Sequence, residues 1–418
     1  MRILYLSYFF PPLGGPASLR SAKTIKYLVK QGWEVEVITI RDIEYTYFDE
    51  SIGHDASSVL RTQSLDPMSL LKVLRKGSSG DTGTIYKRTP ERFKRFIRRL
   101  YPIDDKIGWL PFLIKSGRKK LAEKHFDLIY VSCGPFSSAL GAYKLSRETG
   151  VPFVYEARDY WTLLSDYPMQ GVFRGYSRYW ERKILESAAL IVNVTQGIAE
   201  DSFTAFGMQL RDKSITVYNG WDEEDFQDLA PKPDTAYSFA YFGNIYARRS
   251  LRAFYQALDR IRREGLLPEG ARVDLYGNFP REVEEEIGSS SVSDLVRIIP
   301  QLGHREALEK MMSSSVLLLL INSSSPRGTL TSKVFEYLRC GKPILAMVPY
   351  HNEASCLLRD CGHDHICAME SPDSIYLEVK RLITEKRGKQ EYRTPWEYTR
   401  ENQVTGLSDK LKSMFGQG

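Results

Sequence analysis

Cysteine is scarce. Five residues among 418, an odd number, fit a reducing compartment better than a disulfide framework. Long apolar runs are missing as well. The longest, Val316 to Ile321, falls far short of the ~20 residues that a membrane-crossing helix needs. The opening MRILYLSYFFPP has a single Arg, a brief apolar run and no small-residue cleavage site, so it reads as a first strand and not as a secretory leader. Neither sign of charge dominates: 58 Lys and Arg face 52 Asp and Glu, and the net +6 favours anionic partners without choosing one. No short-period repeat and no nucleic-acid-binding motif is recognised. These absences predict a soluble cytoplasmic protein with no nucleic-acid partner.

The chain has ample material for cores. It is 42% hydrophobic and 12% aromatic, which excludes disordered and fibrous classes, and its length suits two or three domains. Nearly continuous apolar runs at Ile3–Ser7, Val35–Ile40, Leu128–Ser132, Phe153–Tyr155 and Leu190–Val194 predict strands buried on both faces of a parallel sheet. Helix-length segments lie between them, among them Ser18–Gln31 before Gly32 and Ser137–Thr149 before Gly150. A second series restarts at Phe239–Phe242 and continues through Arg272–Tyr276, Val296–Ile299, Val316–Ile321 and Ile344–Met347. The acidic, proline-bearing stretch from Gly220 to Asp234 predicts a linker between the two. The fold class is therefore α/β, with two tandem doubly wound domains.

Two segments depart from this alternation. Lys76–Thr84 is polar and predicts a loop. Beyond it, twelve basic residues from Lys87 to Lys120 are opposed by Glu91, Asp104 and Asp105 alone. Phe93, Phe96, Ile97 and Leu100 form an apolar stripe beside Lys94, Arg95, Arg98 and Arg99. That pattern suits peripheral contact with an anionic membrane, or a helix packed on its own core with a solvated cationic face.

Three constellations can carry chemistry. After the first strand, the Pro11-Pro12-Leu13-Gly14-Gly15 loop leads into a helix start, a setting that suits phosphate; a plain strand–helix connection is the alternative. After the first strand of the second series, Gly243 and Asn244 precede Arg248 and Arg249, a pair placed to grip a diphosphate or simply to be solvated. In the third, Ser332 can cap a helix on which Lys333 and Glu336 share a face. A carboxylate there can accept two sugar hydroxyls while the cation meets a phosphate; a surface ion pair is the plainer reading.

With the Asn219-Gly220-x-Asp222 turn, these motifs resemble the GT-B glycosyltransferases, most closely family four, over essentially the whole chain. The resemblance implies two Rossmann-like domains facing each other across a cleft. An acceptor-binding domain spans 1–220, a nucleotide-sugar-binding domain spans 221–395, and a helix at about 396–418 packs back on the first. It implies transfer of a sugar from a nucleotide-diphosphate donor, with retention and without a metal or other cofactor. Glu336 binds the donor ribose, Arg248 or Arg249 with Lys333 the diphosphate, and Gly14 and Gly15 close over the phosphates; Asn219, Gly243, Asn244 and Ser332 complete the donor set. The acceptor is a glycan, lipid-linked or small molecule in surface-polysaccharide, lipopolysaccharide or related glycan synthesis.

The chain departs from the family in two places. The first acid of the usual Glu-x7-Glu motif falls on Gly328. Where family members often carry a histidine, this chain has Glu156-Ala157-Arg158-Asp159-Tyr160-Trp161, which resembles an envelope-polysaccharide subgroup. Asp159 or Glu156 can then orient or deprotonate an acceptor hydroxyl and Arg158 can bind an acceptor phosphate; the alternative is a structural Arg158–Asp159 pair. Nearby Tyr155, Tyr160, Trp161, Tyr167, Phe173, Tyr176, Tyr179 and Trp180 suggest a stacking wall or core. The Cys356, Cys361, His363, His365, Cys367 cluster matches no usual zinc spacing, so no metal is expected. Two rival functions are a sugar-nucleotide epimerase or hydrolase on the same fold, and a non-catalytic protein that binds anionic surfaces.

Overall fold

A computed structural model describes the chain except for residues 42–47, 66–100, 165–171, 233, 246–248, 385–391 and 417–418. The chain divides into two units, Met1–Asn219 with Arg400–Gly418, and Gly220–Thr399.

In the first unit, strands alternate with helices from the start: β1 (Arg2–Ser7), α1 (Pro16–Lys30), β2 (Glu34–Ile40), β3 (Ser58–Thr62), α2 (Leu110–Glu123), β4 (Leu128–Cys133), α3 (Ser137–Thr149), β5 (Phe153–Ala157), α4 (Val172–Ser187), β6 (Leu190–Asn193), α5 (Gln196–Phe206) and β7 (Ser214–Thr216). The strands form one sheet in the order β3-β2-β1-β4-β5-β6-β7. Its pairings are parallel, with Ile3 opposite Val35 on one side and Leu128 on the other. Successive side chains of a strand point to opposite faces. Ile3 and Tyr5 therefore share a core with Ile25 and Leu28 of α1, while Leu4 and Leu6 share another with Ala139, Leu140 and Leu145 of α3. This placement puts α1 and α3 on opposite faces of adjoining strands.

The second unit repeats the scheme: β8 (Ser238–Phe242), α6 (Arg252–Arg263), β9 (Arg272–Tyr276), α7 (Arg281–Gly288), β10 (Val296–Ile299), α8 (His304–Ser313), β11 (Val316–Leu320), α9 (Lys333–Cys340), β12 (Ile344–Met347), α10 (Glu353–Asp360), β13 (Ile366–Cys367) and α11 (Pro372–Thr384). Its parallel sheet runs β10-β9-β8-β11-β12-β13. The last helix, α12 (Arg400–Phe415), belongs to the first unit. There Trp33 Nε1 donates to Ser408 Oγ at 2.8 Å, and Val404, Leu407 and Leu411 join the α1-side core.

Several expectations need correction. β3, β7 and β13 are strands that no apolar run announced. β3 carries Ser, Arg and Thr on a half-buried edge, and β13 is two residues long. β5 extends through Glu156, a charge that a buried strand tolerates only with a partner. The Gly220–Asp234 stretch is not simply a linker. Trp221, Asp222 and Phe226 are buried, and Arg339 of α9 donates to the Glu223 carboxylate at 2.7 and 2.5 Å. The Lys76–Thr84 loop and the basic residues from Lys87 to Arg99 lie outside the described residues. Further along that basic block, Arg118 pairs with Glu148 at 2.7 Å and Lys120 with Glu36.

Candidate active site

In the second unit, β8 leads outward to β9 and β10 while its neighbour β11 leads the other way to β12 and β13. Ligands of open parallel sheets bind outside the carboxyl ends of the strands, where the strand order reverses. Gly243 follows β8 with φ 111°, a conformation that favours glycine, and a Cβ there would collide with Lys333 Nζ at the start of α9. The ammonium thus lies against the Gly243 backbone, 4.8 Å from the centre of the Tyr241 ring. Desolvation pulls Lys333 down to about 8; the nearby Arg249 cation adds to the fall and Glu336 opposes it. A crowded cation of this kind gains most when an anion arrives.

Glu336 lies one turn into α9. Its Oε1 is 2.9 Å from His304 Nε2 at the start of α8, and His304 Nδ1 is 3.8 Å from Asp225 Oδ2. His304 was no candidate by sequence. The only signal was a histidine at a helix start just after a strand, and what it meets depends on strand order. Asn244 shapes the turn beyond β8: its Oδ1 accepts the Asn278 N–H at 3.0 Å and its carbonyl accepts the Tyr241 hydroxyl at 3.1 Å. Ser332 stands at the N-cap but in αR conformation, and its side chain makes no capping hydrogen bond, contrary to expectation. Arg249 is half-buried beside Lys333, whereas Arg248 lies outside the described residues. Gly328 is buried.

The first unit holds the remaining candidates. Gly14 and Gly15 are half-buried just before α1. Asn219 Oδ1 accepts from Arg20 Nη1 at 3.2 Å. Arg20 also donates to Glu156 Oε1 at 2.8 Å and to the Val217 carbonyl at 2.9 Å. Tyr130 donates to the same carboxylate at 2.9 Å, and Ser132 to its other oxygen. Burial works against the Glu156 charge, but Arg20 and Ser132 outweigh it and hold the carboxyl below its ordinary value. Glu156 has no exposed surface. Its expected part in deprotonating an acceptor is corrected, since both its oxygens are engaged in securing Arg20 and the sheet. Arg158 donates through Nε to the Cys133 carbonyl at 2.8 Å and through Nη2 to the Gly134 carbonyl at 2.6 Å. Asp159 is exposed and accepts the Tyr160 N–H at 2.8 Å, so the structural Arg158–Asp159 pair does not form.

The aromatic wall divides. Tyr155, Tyr160 and Trp161 are core, with Trp161 stacked on Phe136 at 5.0 Å. Phe173, Tyr176 and Tyr179 of α4 are exposed, Trp180 is half-buried, and Tyr167 lies outside the described residues. His363 is buried, stacked on Tyr392 at 4.0 Å and pushed by desolvation down to about 3. Among the described residues no group of three His, Cys, Asp or Glu side chains could hold a metal ion, and no helix is long and apolar enough to cross a membrane.

Residues 21–225 match the family model described as Glycosyltransferase Family 4. No curated protein matches the chain in sequence. Among solved structures, sucrose-phosphate synthase from Thermosynechococcus elongatus is similar at 13% identity and TM-score 0.62, over 100% of this chain and 97% of that one. WaaG, a glycosyltransferase involved in lipopolysaccharide biosynthesis, is similar at 14% identity and TM-score 0.55, over 100% of both chains. UDP-GlcNAc 2-epimerase from Methanocaldococcus jannaschii, in complex with UDP-GlcNAc and UDP, is similar at 11% identity and TM-score 0.53, over 99% of this chain and 100% of that one. At such identities the likeness is one of fold: two parallel sheets with interleaved helices.

Proposed function

We propose that this chain, a GT-B glycosyltransferase of the family 4 type, moves a sugar from a nucleotide-diphosphate donor to a glycan, lipid-linked or small-molecule acceptor. The proposal includes retention at the anomeric carbon, independence of metal and a place in surface-polysaccharide, lipopolysaccharide or related glycan synthesis. The observation that carries it is the Lys333 ammonium lying against Gly243 at the reversal of the second sheet, with Glu336 one turn away.

Breaking the glycosyl–phosphate bond puts negative charge on the departing diphosphate and oxocarbenium character on the sugar. A fixed cation at the diphosphate stabilises that charge as it develops, by a few kcal/mol per well-placed group (roughly 2.7–4). Lys333 and Arg249 supply this charge from the protein itself. Glu336 can accept two vicinal hydroxyls of the donor ribose. In the first unit Asp159, accessible and beside Arg158, is the group left to orient or deprotonate the acceptor hydroxyl. The basic stretch of residues 87–99 supports reversible contact with an anionic membrane at the cytoplasmic face, which co-sedimentation with anionic vesicles tests.

A panel of UDP-, GDP-, ADP- and TDP-sugars, read by thermal stabilisation, tests the donor class. A true donor at 100 times its dissociation constant adds ~2.7 kcal/mol to stability. Turnover then has to survive EDTA. Rescue of an EDTA-inactivated enzyme by magnesium or manganese would refute the metal-free site. Release of a C2-epimer, or of free sugar with no need for an acceptor, would favour the epimerase or hydrolase reading that the shared fold also admits.

A further inference from the structure

We infer that helix α4, with α3 beside it, carries a docking surface for a bilayer that contains anionic lipid. This surface is separate from residues 87–99, and its partner does not depend on which reaction the chain catalyses.

Two rows of side chains run along α4. Phe173, Tyr176 and Trp180 recur at helical spacing on one stripe, with Tyr179 at its edge, and Arg174, Arg178 and Arg182 recur on the next. Phe173, Arg174, Gly175 and Tyr176 are all exposed. Four successive residues point in every direction around a helix, so this end of α4 stands clear of the core. Phe173, Tyr176 and Tyr179 are 38%, 44% and 55% exposed. Large apolar residues scattered singly on a surface are ordinary, whereas a cluster of them marks a place of interaction. The cluster is ordered. The half-buried Trp180 ring lies 5.8 Å from that of Tyr143 on α3, 6.3 Å from Tyr176 and 5.6 Å from Tyr179, each pair edge to face. Lys183 Nζ is 3.3 Å from the Tyr179 hydroxyl, and Arg178 and Arg182 lie over the Phe206 ring at 5.0 and 5.7 Å.

The charge around this cluster has one sign. α3 and α4 carry six basic residues, Lys144, Arg147, Arg174, Arg178, Arg182 and Lys183, against three carboxylates. Those carboxylates are engaged: Glu148 pairs with Arg118 at 2.7 Å, Glu181 is buried against the Thr162 N–H at 3.1 Å, and Glu186 lies near Lys213. Cations also crowd one another, since Arg147 of α3 opposes the Lys183 charge across the two helices. A second copy of this chain would bring the same sign and be repelled. A soluble polyanion would use the cations but leave Phe173 and the tyrosines in water. An anionic bilayer uses both features. The basic groups meet headgroup phosphates, and the aromatic rings settle at headgroup level, where one side is apolar and the other wet. The aliphatic residues of α4, Ile184 and Leu185, are buried in the unit's own core, so the contact is shallow and reversible.

The test co-sediments the full chain with vesicles of phosphatidylcholine, alone or mixed with phosphatidylglycerol, at low and high salt. The variants are Arg147→Gln/Arg174→Gln, Tyr176→Ser/Tyr179→Ser, and Lys94→Gln/Arg95→Gln/Arg98→Gln/Arg99→Gln. Wild type should bind the mixed vesicles in preference and lose that binding with salt. Binding should fall about fivefold for each charge removed from α3 and α4, and at least as far in the tyrosine pair. The same factors should appear when these changes are added to the 94–99 variant, which separates this surface from that stretch. On mixed vesicles, backbone hydrogen exchange should slow in residues 173–183. Melting temperature reports the fold of each variant, and the glutamine pair replaces exposed side chains only, so it carries the test should the tyrosine pair not fold. UDP binding should be unchanged in the α3 and α4 variants; a chain that never binds UDP fails the donor reading and leaves this surface standing. Wild-type sedimentation of the glutamine pair, equal binding to neutral and mixed vesicles, or exchange in α4 unchanged by vesicles overturns the surface. A folded tyrosine pair that still binds as wild type marks a site for any polyanion and overturns the bilayer as its partner.

Discussion

His304 Nε2 lies 2.9 Å from Glu336 Oε1, joining the first residue of α8 to the first turn of α9 across 32 residues of sequence. Glu336 is thus held by the His304 imidazole. Such a carboxylate is pre-oriented, and ordering it on binding costs less.

Glu336→Ala should therefore weaken donor binding about ten- to a hundredfold, the worth of one or two hydrogen bonds to a charged group. His304→Ala should have a smaller effect, because it loosens the carboxylate without removing it. Calorimetry with the best nucleotide sugar is the measurement. Wild-type affinity in Glu336→Ala would take this residue out of the site.

Gly243→Ala should damage binding more than folding. The strained φ of 111° costs about 1–3 kcal/mol for alanine, and the new methyl pushes Lys333 Nζ from its place. The expected result is a melting temperature lower by a few degrees with donor affinity reduced as far as in Lys333→Ala. Retained affinity would show that Lys333 acts from elsewhere.

Donor binding should also depend on pH through Lys333. The group is ordinarily protonated up to 10.5 and in the folded chain only to about 8. Between those values the unfolded chain holds the extra proton, so this residue adds to stability as pH rises through that window. A diphosphate reverses the effect by restoring the proton. Affinity should be flat below about 8 and fall above it by up to about tenfold per unit, with proton uptake visible in buffers of different ionisation enthalpy. A flat profile to pH 10 would contradict an ammonium–diphosphate contact.

Glu156→Gln separates a structural carboxylate from a catalytic one. The change leaves Arg20 buried and uncompensated, which costs about 3–5 kcal/mol. A large drop in denaturant midpoint is expected. Wild-type stability with lost turnover would restore Glu156 to the chemistry.

Glu181 offers a control on buried charge away from the site. Burial pushes its carboxyl up to about 7 despite hydrogen bonds from the Thr162 N–H at 3.1 Å and its hydroxyl. Its ordinary value is 4.5, so the folded chain binds the extra proton between 4.5 and about 7, and stability falls as pH rises through that range. Glu181→Gln should remove that fall and gain at most about 3 kcal/mol above pH 7, read by denaturation at pH 5 and pH 8. Parallel curves for the two proteins would place the proton elsewhere.

The sequence by itself determined the two α/β series, because strands buried on both faces must be apolar throughout and helices between them must carry an apolar stripe. Val316–Leu320 and Phe239–Phe242 could be read directly for that reason. It also determined the chemistry on offer, since Gly243, Lys333 and Glu336 sit at strand and helix ends wherever those elements pack. Only the tertiary structure decided which of these groups meet. The edge strands β3 and β7 carry no apolar signature, as edges need little burial. The partners of Glu336, Glu156 and Arg158 come from segments distant in the chain, and their pairing follows from sheet order. His304 reaches Glu336 because α8 and α9 are neighbours. Local spacing holds no record of that adjacency, because parallel strands are joined through helices and their order is set by which faces bury together.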